Sequence, residues 1–258
     1  MKSAQILKQK VSNGSLTLGV IATFHVWPGL IELLIRAGLD YVIIDLEHLT
    51  HDHEKVADMC ALGRMLDFPV LLRPPAAEFT PLRLAIDLGP CGMLIPYVES
   101  VADLAVVQDA IQMKPRGRRR PGGPGNHWVS DYQYETWKTQ VEDDFMILAQ
   151  IESKVGLGNL AAIAAHPITT VMAIGPYDLS ADLGVCWQPD HPLLADAFQK
   201  IHAAARTAGK PMWAIGDPQK LVAQGLNFIC IGEPIRTLEN ALKHTVEQVR
   251  SAPKGSGR

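Results

Sequence analysis

The sequence predicts a (β/α)8 barrel with an extra helix at each end. Three observations carry that expectation. Eight short apolar runs punctuate the chain, amphipathic segments separate them, and most runs are continuously apolar. Continuous runs suit parallel strands that are covered on both faces. The runs are LTLGVIATF (core at 17–24), YVIID (41–45), PVLLR (69–73), GMLIP (92–96), MILAQIE (146–152), TVMAIG (170–175), PMWAI (211–215) and NFICIG (227–232). Strands alternating with helices point to a parallel sheet closed as a barrel. An open doubly wound sheet is the competing arrangement, but no GxGxxG follows the first run, which disfavours a dinucleotide-binding version.

The elements follow in order. MKSAQILKQKVSNG reads as a short amphipathic helix and lacks the pattern of a signal peptide. Pro28 can open the first barrel helix and Gly38 can close it. HDHEKVADMCALGRML follows the second run, and TPLRLAIDLG, opened by Thr80 and Pro81, follows the third. VADLAVVQDAIQM, KVGLGNLAAIAAH, HPLLADAFQKIHAAARTAG, PQKLVAQG and RTLENALKHTVEQVR complete the helical set. One domain over 1–250 is expected, with a disordered small-residue tail at 251–258. Residues 114–142 interrupt the rhythm between the fourth and fifth runs. Arg, Gly and Pro dominate their first part, and Trp128, Tyr132, Tyr134 and Trp137 their second. An excursion of that length predicts a loop folding over the active site, with 116–128 as its most unusual part.

Composition narrows the function. The 258 residues carry 24 basic and 27 acidic side chains, a net charge of −3, which gives no field for nucleic acid or an anionic membrane. The arginine run is too short to change that reading. Apolar runs stay well below the roughly 18 residues of a membrane span. Cys60, Cys91, Cys186 and Cys230 lack CxxC spacing, so a reducing cytoplasm fits better than a disulfide framework or a zinc site.

The chemistry collects where the runs end. The second ends in Asp45, Glu47 and His48, the third in Arg73, the fifth in Gln150 and Glu152, and Asp178 follows the sixth. In a barrel these ends form one rim, the active-site face. Plain roles exist for each residue alone: a core or capping histidine, a helix cap for Glu47 or Asp178, a simple ion pair for Arg73. Their joint appearance on one rim argues for a site. Glu152 and Asp178 come from neighbouring strands, and two carboxylates with open positions suit a hard divalent ion. The turn Gly175, Pro176, Tyr177, Asp178 leads into a helix whose N–H groups can hold a substrate carboxylate. His51 and His53 belong to a helix start in this reading. Lys154, the nearest candidate for a Schiff base, opens a helix.

The motifs IDLEH (44–48), LLRPP (71–75), AIDLG (85–89), LIPYVES (94–100), AQIES (149–153) and IGPYDLSADLG (174–184) stand in an order and spacing that resembles the HpcH/HpaI aldolases, metal-dependent class II pyruvate aldolases. The resemblance spans about residues 16 to 245. It implies a barrel, usually hexameric (a trimer of dimers) with subunits sharing the site, in which the last helix packs on a neighbour. Glu152 and Asp178 would bind Mg²⁺, Mn²⁺ or Co²⁺. His48, paired with Asp87, would be the general base, and Arg73 would hold the keto or enolate oxygen of pyruvate. Gln150 would line the site, with Asp45 and Glu47 in support. The partners would be a 2-oxo acid and an aldehyde, and neither nucleic acid nor membrane. Oxaloacetate decarboxylation, a citrate-type condensation or acyl-CoA lyase chemistry would use the same parts, and a non-catalytic acid binder is the reading from another class. GRRRPGG (117–123) departs from the family's G-x-R-G pattern, and ATFHVWPG (22–29) places His25 and Trp27 where smaller polar residues are common. Both leave the acceptor open.

Overall fold

The computed structural model describes residues 1–123 and 128–252. Eight parallel strands close in sequence order: β1 (Thr17–Ala22), β2 (Tyr41–Asp45), β3 (Val70–Arg73), β4 (Gly92–Ile95), β5 (Met146–Ile151), β6 (Val171–Ile174), β7 (Met212–Ile215) and β8 (Phe228–Cys230). β8 pairs back onto β1, so no edge remains. Each strand lies inside one of the apolar runs. The helices are α1 (Lys2–Ser12), α2 (Gly29–Arg36), α3 (His53–Met65), α4 (Phe79–Asp87), α5 (Val101–Ile111), α6 (Tyr134–Trp137), α7 (Lys154–Gly158), α8 (Leu160–Ala165), α9 (Pro176–Asp182), α10 (Pro192–Thr207), α11 (Pro218–Ala223) and α12 (Pro234–Ser251). No described helix is long and apolar enough to cross a membrane.

Side chains on a strand alternate between faces, so the barrel has an inner and an outer core. Tyr41, Ile43, Leu71, Leu94, Met146, Leu148, Val171, Ala173, Trp213 and Phe228 pack inward. Val42, Ile44, Leu72, Ile147, Ala149 and Met172 pack outward against the helices. Trp213 Nε1 donates to the Tyr41 hydroxyl at 2.8 Å, which pairs the polar tips of two buried aromatic side chains inside the barrel. Gly19 makes room for that tyrosine, since a Cβ there would stand 2.5 Å from its ring. α1 closes the N-terminal end of the barrel: Ala4, Leu7 and Val11 join the inner cluster.

α2 begins at Gly29 with Pro28 as its N-cap, and α4 begins at Phe79, one residue before the expected Thr80; polar caps open other helices. Asp52 caps α3, Ser100 and Asp103 form a capping box on α5, and Ser153 caps α7. α12 runs through Ser251, one residue into the expected tail, and residues 253–258 lie outside the described residues.

The excursion at 114–142 is not where the sequence reading put it. It follows a helix and precedes a strand, and such connections lie at the N-terminal end of a barrel, opposite the mouth. Its contacts agree. The α-amino group of Met1 donates to Gln140 O, and Lys8 Nζ donates to Asp143 O at 2.6 Å, so the segment abuts the helix that plugs the bottom. It has its own small core of Met113, Trp137 and Val141. Arg119, buried over the Trp137 ring at 4.7 Å, donates through Nη2 to Asp87 Oδ1 at 2.7 Å. The loop therefore does not cover the mouth of its own barrel. Part of 116–128, residues 124–127, lies outside the described residues.

Candidate active site

The inward alternation of the strands continues past their apolar part into the charged residues. Asp45 follows Ile43 by two positions, Arg73 follows Leu71 by two, and Gln150 and Glu152 follow Leu148 by two and four. All four are buried. One periodicity thus builds an apolar barrel floor and a polar mouth from the same strands.

Asp45 and Arg73 are partners in the β2–β3 register. Arg73 Nε donates to Asp45 Oδ1 at 2.9 Å and Nη2 to Oδ2 at 2.6 Å, a bidentate fork. Thr23 Oγ1 donates to Asp45 Oδ2 at 2.8 Å, and the Glu47 N–H to Oδ1 at 3.0 Å. Burial pushes the Asp45 carboxyl upward, but the bonds from Arg73 hold it below its ordinary value. Burial likewise works against the Arg73 cation, and the bonds to Asp45 hold it above its ordinary range. Glu47 Oε2 approaches Arg73 Nε at 3.1 Å, so Glu47 serves the arginine and caps no helix. Among the described residues Arg73 Nη1 has no protein partner, and it is the donor open to a substrate oxygen.

Glu152 is held on the other side. Tyr97, in the left-handed region at φ 55°, donates its N–H to Glu152 Oε2 at 2.9 Å. Gly175 is required by the same carboxylate, because a Cβ there would collide with Glu152 Oε1. Burial, with the nearby Glu47 and Asp178 carboxylates, pushes Glu152 up to about 8. Asp178 is exposed in the first turn of α9 and makes no capping bond. The Gly175 N–H is used by Ile151 O at 3.1 Å and Pro176 has none, which leaves the Tyr177 and Asp178 N–H groups for an anion. Gln150 Oε1 is buried with no partner among the described residues.

These observations test the site against a divalent ion. Asp45 and Glu47 share the arginine, while the Glu152 and Asp178 side chains make no ion pair among the described residues. Oxygen donors, an unsatisfied buried amide oxygen and two carboxyl groups without an ion-pair partner suit a hard cation. Among the described residues no group of three His, Cys, Asp or Glu stands ready as a full ligand set, so water or substrate must complete the coordination. The residues fit.

His48 lies half-exposed on the rim, its Nε2 3.9 Å from Glu47 Oε2. The expected His48–Asp87 pair does not form within one chain. Asp87 ends α4, at the N-terminal end of the barrel, where Arg119 and Arg83 hold its carboxylate. His51 and His53 flank the Asp52 cap, as expected, and Lys154 opens α7 with an exposed side chain. Two participants were missed in the sequence. Thr23, the polar residue just after the first apolar run, was legible as a rim residue. The Tyr97 backbone was not, because its role depends on a conformation that nothing in its side chain announces.

Comparison with known proteins finds relatives of this chain in sequence and in fold. The family model for HpcH/HpaI aldolase/citrate lyase matches residues 26–241. The chain is 30% identical over 207 residues to a 4-hydroxy-2-oxovalerate aldolase of Rhodococcus jostii (strain RHA1), covering 78% of this chain and 79% of the relative. It is 28% identical over 224 residues to a hydroxypyruvate/pyruvate aldolase of Chromohalobacter salexigens, covering 85% and 88%. The crystal structure of an HpcH/HpaI aldolase from Desulfitobacterium hafniense DCB-2 superposes with a TM-score of 0.89 at 25% identity, covering 98% of this chain and 99% of that one. With the barrel, the rim carboxylates and the locked arginine all in place, the chain belongs to the HpcH/HpaI aldolase/citrate lyase family.

Proposed function

We propose that the chain is a class II aldolase that joins pyruvate, or a closely related 2-oxo acid, to an aldehyde and reverses that addition. It is a carbon–carbon lyase. The observation that carries the reading is the placement, in one barrel mouth, of a locked guanidinium beside the Glu152 and Asp178 carboxyl groups. The two aldolase relatives support it.

Glu152 and Asp178 would hold a divalent ion (Mg²⁺, Mn²⁺ or Co²⁺), which when bound would supply Lewis-acid polarisation of the 2-oxo acid carbonyl. The Tyr177 and Asp178 N–H groups hold the substrate carboxylate. Arg73, fixed by Asp45, directs Nη1 at the oxygen that gains charge as the enolate forms, so the donor needs no reorganisation during reaction. His48 takes the proton from the methyl carbon and Glu47 steadies the imidazolium. The same carbon then attacks the aldehyde carbonyl, and a proton returns to the new hydroxyl. Gln150 lines this space.

The working unit is an oligomer, a hexamer by resemblance. The separation of His48 and Asp87 to opposite ends of one barrel supports a site shared between subunits, with Asp87 serving a neighbour's His48. Exchange of pyruvate methyl protons with D₂O, followed by NMR, tests the reading. Exchange that appears with added metal and stops with chelator is the expected result. Absence of exchange under both conditions rejects it.

A further inference from the structure

The connection from β4 to α5, residues 96–100, is stitched to the end of β5 along its length. The Tyr97 N–H donates to Glu152 Oε2 at 2.9 Å, and the Val98 N–H to Gln150 O at 3.0 Å. Ser153 Oγ donates to Glu99 Oε1 at 2.6 Å, and Asn159 Nδ2 to Glu99 O at 2.8 Å. Pro96 and Val98 are buried on either side of Tyr97. Gly156 lets Val98 O come close, since a Cβ there would stand 2.9 Å from that oxygen. Tyr97 itself is 50% exposed and sits at φ 55°, a region in which a bulky residue is uncommon. Such a conformation persists only where its surroundings over-determine it. Here the stitched backbone, not the ring, reaches the site.

The two oxygens of Glu152 are thereby made unequal. Oε2 already accepts the Tyr97 N–H. Oε1 lies against Gly175, where a Cβ would overlap it, and Gly175 opens the turn that carries Asp178. The oxygen beside the Asp178 turn is thus the one with no hydrogen bond among the described residues. An oxygen that has given a lone pair to an N–H is the poorer donor to an ion.

We propose that Tyr97 is a positioning residue for the metal: its left-handed backbone N–H reserves Glu152 Oε2, so the carboxylate binds a divalent ion through Oε1 alone. This rests on the metal reading above and adds to it a selection by ion size. Ca²⁺ takes more oxygens at longer distances and readily accepts two from one carboxylate, whereas Mg²⁺ demands near-octahedral geometry with short bonds. A one-oxygen Glu152 therefore favours smaller ions such as Mg²⁺ and Mn²⁺ over Ca²⁺. Releasing Oε2 removes that restriction.

The test uses the full-length protein without substrate. Mn²⁺ affinity is read from the free-ion signal in electron paramagnetic resonance, and Ca²⁺ affinity from competition with Mn²⁺. Tyr97→Gly keeps the N–H and the left-handed backbone, so its Mn²⁺ affinity should stay within about 2-fold of the parent. Tyr97→Val is β-branched and resists that backbone. It should lose about 10- to 100-fold in Mn²⁺ affinity, the usual scale for an outer partner of a ligand, and less in Ca²⁺ affinity, so the ratio between the two ions falls. Equal losses for both ions would reduce Tyr97 to a support of its loop and overturn the inference. A loss in Tyr97→Gly as large as in Tyr97→Val would overturn it too, by assigning the hold to the ring. Infrared spectroscopy of the parent needs no Tyr97 variant to fold. The Glu152 carboxylate stretches, identified by their loss in Glu152→Gln, should split widely on Mn²⁺ binding, as for one bound oxygen, and the narrow splitting of two-oxygen binding would overturn the inference. Absence of Mn²⁺ binding by the parent, or parental affinity in Glu152→Gln, sinks the metal reading and this inference with it. Binding by the parent with an unchanged ratio in Tyr97→Val sinks the Tyr97 inference alone.

Discussion

Arg73 and Asp45 lock each other, and that lock specifies the guanidinium plane as well as its charge. Arg73→Lys keeps the charge but loses the fork. Its pyruvate proton exchange is expected to fall about 100- to 1,000-fold, the usual scale for one donor at a developing oxyanion. A lysine variant that exchanges at the parental rate would show that charge alone suffices. Glu152 gives a second prediction. Its carboxyl sits at about 8 in the folded protein, against about 4.5 for an ordinary glutamate. Between those values the folded state holds a proton that the unfolded chain has released. In chelator, then, stability should fall as pH rises from about 4.5 to about 8, by at most about 1.4 kcal/mol per pH unit. Glu152→Gln removes that titration, so its melting temperature should vary less across the window. Equal slopes for the two proteins would count against the buried, unneutralised carboxyl. At this scale the sequence was informative wherever the period of two applied. It carried Ile43 to Asp45, Leu71 to Arg73 and Leu148 to Glu152. It was silent on Tyr97, where a left-handed backbone does the holding.

α12 is the element least explained by its own chain. It is 18 residues long with no buried residue, yet Leu238, Leu242, Val246 and Val249 fall at helical spacing on it and are exposed. A helix with an unpaired apolar stripe of that length requires a cover. Under the proposed shared site, a second copy of the chain would be that cover. Leu238→Asp with Leu242→Asp is expected to reduce the oligomer in light scattering and to lower proton exchange with it. Full activity in a monomer would refute the shared site. α1 shows the opposite case, with Leu7 sealed among the inner barrel residues. Leu7→Ala should cost about 2–5 kcal/mol in denaturant unfolding. Element existence was legible almost throughout, because each apolar run and each cap kept its local logic. The end of the barrel to which an element belongs needed a further step. The 114–142 segment looked like a lid because of its length and arginines, but its place between α5 and β5 already assigned it to the opposite end.

The residues proposed for the proton relay lie at the two ends of the barrel. His48 and Arg73 stand at the mouth, whereas Asp87 stands at the N-terminal end of the barrel, held there by Arg119. A barrel several strands wide cannot bend to join them, so a proton relay using both His48 and Asp87 must cross between subunits. Complementation decides this. His48→Ala and Asp87→Asn should each be nearly inactive alone. Mixed, unfolded and reassembled together, they should regain activity, because some sites then combine an intact His48 from one chain with an intact Asp87 from its neighbour. Random assembly of equal amounts makes about a quarter of the sites intact in both residues. Recovery near that level, absent when either variant is reassembled alone, is the expected result. The melting temperatures of the single variants serve as the control, since Asp87 also anchors Arg119 and its loss could loosen the loop. If Asp87→Asn melts like the parent and the mixture stays as inactive as its components, then Asp87 holds the loop in place and takes no part in the reaction. His48 would then work with Glu47 alone, and each barrel would be a complete catalyst.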